Sequence, residues 1–366
     1  MSRFITFCFL VVTLNIYSQE SILTDTLYVQ ELQQNIDSIY NFRFLNSEKT
    51  IENLEKEYPN HPFPGIYRSL TLYWKYFPIT PESKYEEDFL NSLAQALVKV
   101  EKQLEKNEDN SEAIFFNLLG RLLIMQYFAD NHISGKVIPH LNSAYKMLIK
   151  GFELTDSLID FNFSSGVYNY YREYYPKAHP VYKPVAYFFP NGNATKGIKQ
   201  LEFNGKHGIF LKTESLFFLV YVNMYFEKDF KKALKYIKQL TKDYPNNLLY
   251  DLYQVQNLLL LKKYNKAKEL ILVLEHTNHS NDFFTTIAQI YEGIILEKKD
   301  KNLADAEIIY KKSINQLDKY GDFANQYKSY AYFGLSRIVK QSNPKQSAKY
   351  KKAALNLAVF PEINFN

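Results

Sequence analysis

Four apolar positions recur at one separation. Between residues 228–245, KDFKKALKYIKQLTKDYP, and residues 262–276, KKYNKAKELILVLEH, the pairs Phe230 and Tyr264, Ala233 and Ala267, Ile237 and Ile271, and Leu240 and Leu274 each lie 34 residues apart. A repeat of that length constrains the fold more than any single motif. One such unit is too small to bury its own apolar face, so successive units stack and share a continuous core. Elsewhere, long segments carry apolar residues at three- and four-residue spacing, broken by short polar stretches and without period-two alternation, which is the pattern of helices. Composition agrees: only 12 glycines and 13 prolines occur in 366 residues, well under the roughly 12% usual for the two together. An all-β chain with many tight turns would need more of both. Aromatics are abundant instead, with 31 Tyr, 28 Phe and 1 Trp, and 46% of residues are apolar, enough for a large core and unlike a disordered chain.

The repeat resembles the tetratricopeptide repeat (TPR), a 34-residue antiparallel helix pair with small residues where the helices approach, often closing on proline. The best copy runs from about Glu214 to Asn247, with Phe217, Val220, Tyr221 and Met224 on the first helix, Ala233, Ile237 and Leu240 on the second, and Pro245 at the close. Tyr221 departs from the family, which has a small residue there. A second copy, Leu248 to about Asn281, keeps Val255, Leu258, Ala267, Ile271 and Leu274 but lacks the proline. A third has Gly293 and Leu296, then Ala306, Tyr310 and Ser313 after a one-residue insertion; a fourth has Gly334, Ile338, Tyr350 and Ala353, with Pro361 beyond. Earlier copies are looser: residues 107–123 read as a linker and first helix with Phe116, Leu119, Gly120 and Leu123, residues 51–62 as a second helix ended by Pro59, and Ile66–Phe77 as the next first helix. The resemblance implies an all-α fold, a right-handed superhelical array of antiparallel helix pairs. Residues 19–160 are expected to form degenerate pairs, 161–213 an insertion, and 214–366 about four repeats. Gly120, Gly293 and Gly334 fall where the pattern wants a small residue.

The first eighteen residues, MSRFITFCFLVVTLNIYS, place Arg3 before an apolar run from Phe4 to Leu14 and small Ser18 before Gln19. This is the order of a secretory signal peptide, too short to span a bilayer, so the chain resembles an exported bacterial TPR protein, periplasmic or outer-membrane-associated in a Gram-negative cell. The mature chain is expected to have no membrane span. Cys8, the only cysteine, leaves with the leader, and the mature chain then has no disulfide, Cys-ligated zinc or thiol nucleophile. The 44 basic and 39 acidic residues, net +5, are interspersed, unlike a phosphate-tracking face; no nucleic acid is expected.

Residues 161–190, FNFSSGVYNYYREYYPKAHPVYKPVAYFFP, hold four prolines, Pro176, Pro180, Pro184 and Pro190, which stop helices. The expectation is a helix from about Ser164 to Tyr175, an extended aromatic loop, and a new helix near Lys196. Tyr174, Tyr175, His179, Tyr182, Tyr187 and Phe188 are candidates for a sticky surface on this loop, unless the loop folds back over the core. Chemistry is sparse. GNATKGI, 192–198, has Ile198 where a phosphate loop needs lysine and reads as a turn. His276 and His279 are too few ligands for zinc. Glu86, Glu87 and Asp88 read as first-turn charges. With no HExxH or GxSxG, no enzyme activity, cofactor or metal is expected.

TPR arrays commonly receive a peptide or helix in the concave groove lined by first helices. In that register the groove candidates are Phe218, Val222, Tyr225, Leu252, Gln256 and Leu259. They are mostly apolar, so either the groove takes an apolar segment of another envelope protein or the superhelix is tight and they are core. The alternative to such a non-enzymatic scaffold is a solute- or glycan-binding protein using the aromatic loop. If the register is right, Ala233→Leu overpacks the interhelix contact and lowers stability by ~1–3 kcal/mol; an unchanged urea midpoint would contradict it.

Overall fold

The computed structural model describes residue 23 and residues 25–178, 184, 187–276 and 281–366. The expected signal peptide, His179, Tyr182 and His279 lie outside them. The short polar stretches of the sequence are helix caps: side chains of Asp25, Asn110, Asn193, Asp229, Asn247, Asn281, Asn302 and Asn343 accept first-turn amide hydrogens that have no partner within the helix. Within several pairs the first helix ends on a left-handed residue, Phe42, His132, Lys228, Lys262 or Lys301. After Phe42, His132 and Lys262 the next amide bonds back across the turn, as Lys263 N–H does to Leu258 O at 2.8 Å, satisfying a terminal carbonyl.

These signals delimit a series of antiparallel pairs: α1 (Thr26–Tyr40) with α2 (Phe44–Glu57), α3 (Phe63–Lys75) with α4 (Glu86–Lys106), α5 (Ser111–Asp130) with α6 (Ser134–Gly151), α7 (Phe161–Ala178) with α8 (Ala194–His207), α9 (Lys212–Tyr221) with α10 (Phe230–Asp243), α11 (Leu248–Leu260) with α12 (Tyr264–His276), α13 (Asp282–Ile295) with α14 (Leu303–Leu317), and α15 (Asn325–Ile338) with α16 (Pro344–Leu357). Each helix packs on the next, and first helices also touch one another, α1 on α3, α3 on α5, α7 on α9, α11 on α13 and α13 on α15. The fold is an all-α, TPR-like solenoid whose first helices form its inner wall.

The repeat positions are core. Ala233, Ile237, Leu240, Ala267, Ile271, Ala306 and Tyr310 are all buried. Gly293 and Gly334 flank the Tyr310 ring so closely that a Cβ on either would stand 2.7 or 2.2 Å from it. Gly120 is less tightly held, with Leu97 at 3.1 Å. The extra residue of the third repeat falls at a π turn, Leu296–Asp300.

Residues 161–213 depart from the expected insertion. Residues 161–207 are themselves a helix pair, α7 and α8, packed along their length. The two backbones cross at glycines: a Cβ on Gly166 would lie 2.9 Å from the Gly197 carbonyl, and one on Gly197 2.6 Å from the Gly166 carbonyl. Pro176 sits in the last turn of α7, so the helix continues to Ala178 rather than stopping at Tyr175. The next helix begins at Ala194, with Asn193 as its cap, so GNATKGI is a turn and helix start. Buried Asp160 then fixes the entry to α9, accepting amide hydrogens from Ile209, Phe210 and Leu211 at 2.7–3.2 Å.

The solenoid curls until its first two pairs meet its later ones. Asn247 Nδ2 donates to Tyr40 O at 2.9 Å, Tyr244 OH to Asp37 at 2.9 Å, and Asn246 N to Asn41 Oδ1 at 3.1 Å. Farther along, Asn281 Nδ2 donates to Phe77 O at 2.7 Å, and the Phe77 ring stacks on Phe284 at 5.4 Å. If the left-handed turns are strained, Lys262→Gly, at φ 56°, should stabilise the chain by about 1 kcal/mol. A lower urea midpoint for this variant would show that Lys262 carries a contact worth more than the strain.

Candidate functional site

Curling decides what becomes of the groove candidates. Val222, Leu252 and Leu259 are core. Phe218 is half-buried, edge-on to Tyr171 of α7 at 5.5 Å. Gln256 is a buried polar node between first helices: Tyr225 and Tyr291 hydroxyls donate to its Oε1 at 3.2 and 3.0 Å, and its Nε2 donates to Tyr330 OH at 2.9 Å. Of the six, only Tyr225 reaches the interior space. The residues that face it are displaced along the helix: Glu214, Phe217 and Tyr221 on α9, Leu249 and Tyr253 on α11. In a tight superhelix the expected positions press against neighbouring first helices, and only those aimed at the axis stay free. Tyr221, the residue that broke the repeat pattern, is one of them.

The segment after α16 crosses the concave side of the last pairs. The amides of Val359 and Phe360 both donate to Gln326 Oε1 at 2.8 Å, and Phe360 stacks on Tyr225 at 4.4 Å. Arg337 donates to Asn364 O at 2.7 Å, and its guanidinium is itself held by Glu297 at 2.6 and 2.8 Å. Ile363 and Phe365 are buried.

What remains inside is a cavity of about 520 Å³, walled by α1, α3, α5, α7, α9, α11, α15 and the crossing segment. Its wall is aromatic, including Tyr73, Trp74, Phe217, Tyr221, Tyr225, Tyr253, Tyr327 and Phe360. Its charged groups are acidic. Asp130, Glu214 and Asp322 line it with His132, and among the described residues the lining contains no lysine or arginine. Tyr73 OH donates to Asp130 Oδ2 at 3.2 Å and the Gln126 amide donates to both its oxygens at 3.1–3.2 Å. Burial nevertheless pushes the Asp130 carboxyl up to about 6, against the opposing pull of these donors and of His132. Glu214 accepts from Tyr40 OH. Its Oε2 is buried without a hydrogen-bond partner, and burial pushes the group up to about 8. Among the described residues no cluster of His, Cys, Asp and Glu has the makings of a metal site, and no helix is long and apolar enough to cross a membrane.

The aromatic loop residues lie elsewhere. Tyr187 and Phe188 are 85% and 83% exposed, while Tyr174 stacks on Tyr170 at 5.4 Å and meets Phe226. Tyr175 is exposed at the end of α7. None of the four lines the cavity. Sequence reasoning missed Asp130, Glu214 and Tyr253. The four-residue spacing of Phe217, Tyr221 and Tyr225, and of Leu249 and Tyr253, marks the inner stripe; nothing local marks Asp130.

Comparison with known proteins adds likeness of shape. No protein-family model matches the chain, and no curated protein matches it. Among solved structures it is similar to the human IFIT1 dimer with PPP-AAAA, at 14% identity over 86% of this chain and 69% of that one, TM-score 0.44. It is also similar to the human IFIT1 dimer with m7Gppp-AAAA, at 16% identity over 86% and 68%, TM-score 0.41.

A carboxyl whose pKa is higher folded than unfolded binds its proton more readily in the folded state. For Glu214 this favours folding below its ordinary value of 4.5, and the advantage is lost as pH rises to about 8. Asp130, Asp160 and Asp251 titrate in the same window, so the test is differential. Glu214→Gln should flatten the fall of Tm between pH 5 and 8 relative to the parent. Equal slopes would place Glu214 in water.

Proposed function

We propose that the protein is a non-enzymatic binding scaffold of the bacterial cell envelope, exported by its N-terminal leader, that holds a small solute inside the solenoid. The half-open aromatic cavity on the concave side carries this reading. Its volume of about 520 Å³ falls in the range of metabolite sites, roughly 300–1,000 Å³, which are apolar with a few placed polar groups. The open groove that would receive a helix or peptide is covered in the last pairs by Val359 and Phe360. A triphosphate-ended RNA such as the one named with IFIT1 would need cations, and the lining offers no lysine or arginine.

A second reading, capture of another envelope protein, is favoured by the exposed Tyr187 and Phe188 at the α7–α8 connection. The two separate cleanly because Trp74, the only tryptophan, stands in the cavity wall. Titrating the full chain with amines, amino acids, sugars and fatty acids should change Trp74 emission and raise Tm for at least one class. Silence across the panel, together with a crosslinked protein partner lost on Tyr187→Ala with Phe188→Ala, would replace the first reading with the second.

A further inference from the structure

The sign of the charge inside the cavity narrows the ligand. We propose that the cavity is a site for a free organic ammonium ion with an apolar or aromatic body, its charge taken by Glu214 and its body laid against the ring wall. This rests on the solute-binding reading above and adds the chemistry.

Two independent observations carry it. First, Glu214 stands in the wall with Oε2 buried and unpartnered; a buried acceptor left unmade costs about 1–3 kcal/mol, and an N–H⁺ donor would satisfy it. Second, the surrounding rings have the electrostatics a cation needs. Trp74, Tyr221 and Tyr253 line the same half-open space, and a cation gains from ring quadrupoles to the extent that it is desolvated there. Among the described residues the lining holds no lysine or arginine, so the positive charge is assigned to the ligand. An anion would meet three carboxyl groups. A neutral sugar could donate a hydroxyl hydrogen to Glu214 Oε2 but would leave the ionised carboxylate's charge uncompensated among the rings. The aromatic enclosure also separates an organic ammonium from a hydrated metal ion, for which the described residues provide no ligand cluster.

The test uses three near-isosteres on the full chain at pH 8, followed by Trp74 emission and calorimetry: phenethylammonium, 2-phenylethanol and phenylacetate. The cation should bind at least about tenfold more tightly than the alcohol, and the acid should not bind. Glu214→Gln, which keeps side-chain size, should remove most of that preference, read as the ratio of amine to alcohol affinity. The wild-type series needs no variant to fold. Equal affinity of amine and alcohol, or a preference that survives Glu214→Gln, overturns the proposal. If sugars or fatty acids shift Trp74 and phenethylammonium does not, the ligand class is wrong and the interior site stands. If nothing shifts Trp74, both fall.

Discussion

Two asparagines hold the solenoid closed, and each performs a second task with the other end of its amide. Asn247 Oδ1 accepts the Leu249 and Tyr250 amides at 3.2 and 3.4 Å, capping α11, while its Nδ2 reaches Tyr40 O at the end of α1. Asn281, one repeat later, caps α13 through Phe283 N at 3.0 Å and reaches Phe77 O just beyond α3. A helix cap needs only an acceptor, so Ser, Thr or Asp would serve locally. Asparagine adds a separate amide donor that reaches outward, which aspartate lacks and a Ser or Thr hydroxyl, donating and accepting at one atom, is too short to replace. The repeat therefore sets where the clamps fall, and the clamps turn a stack of pairs into a ring with an inside.

Once the ring closes, the unusual composition has a use. An aromatic interior can be built from phenylalanine alone, but then no polar group could cross from one helix to the next. Tyrosine gives both. Tyr310 OH donates to Glu297, Tyr170 OH to Glu227, Tyr127 OH to Glu86 and Tyr236 OH to Glu202, at 2.5–2.9 Å. Each ties two helices through a ring that also fills core volume. Gln256 does the same at the centre, serving three tyrosines from three other first helices. Glu86, Glu87 and Asp88 stand in the first turn of α4 as read, and Glu86 also accepts from the buried phenol of Tyr127 at 2.6 Å. Asp130 and Glu214 also accept from tyrosine hydroxyls, Tyr73 and Tyr40, and in addition line the inner cavity.

How far the sequence reaches follows from what is local. Ala233, Ala267, Gly293 and Gly334 were legible because close helix approach excludes side chains at fixed offsets within one unit. The short polar stretches between apolar segments were legible, and the structure shows their Asn and Asp to be helix caps. The groove residues were not, because which stripe of a first helix faces the axis depends on how tightly the superhelix winds, a sum of small rotations over all pairs. Tyr221 shows the consequence: it violates the single-repeat pattern because it faces the cavity. Gly166 and Gly197 were visible as glycines, but their crossing makes 161–207 a helix pair where the proline count suggested an insertion. Asp130, which comes from a looser early repeat, acquires its neighbours only through closure.

The most direct test of this account is the distance across the seam. Gln34 on α1 and Asp243 at the end of α10 line the same surface crevice although they are distant in sequence. With Cys8 replaced, cysteines at these two positions would be the only thiols and could carry spin labels. Pulsed electron resonance should give one short, narrow distance distribution, and it should broaden when Asn247→Asp and Asn281→Asp keep the caps and remove the outward donors. A long or broad distribution in the unaltered seam would mean that the solenoid is open, and there would be no enclosed cavity.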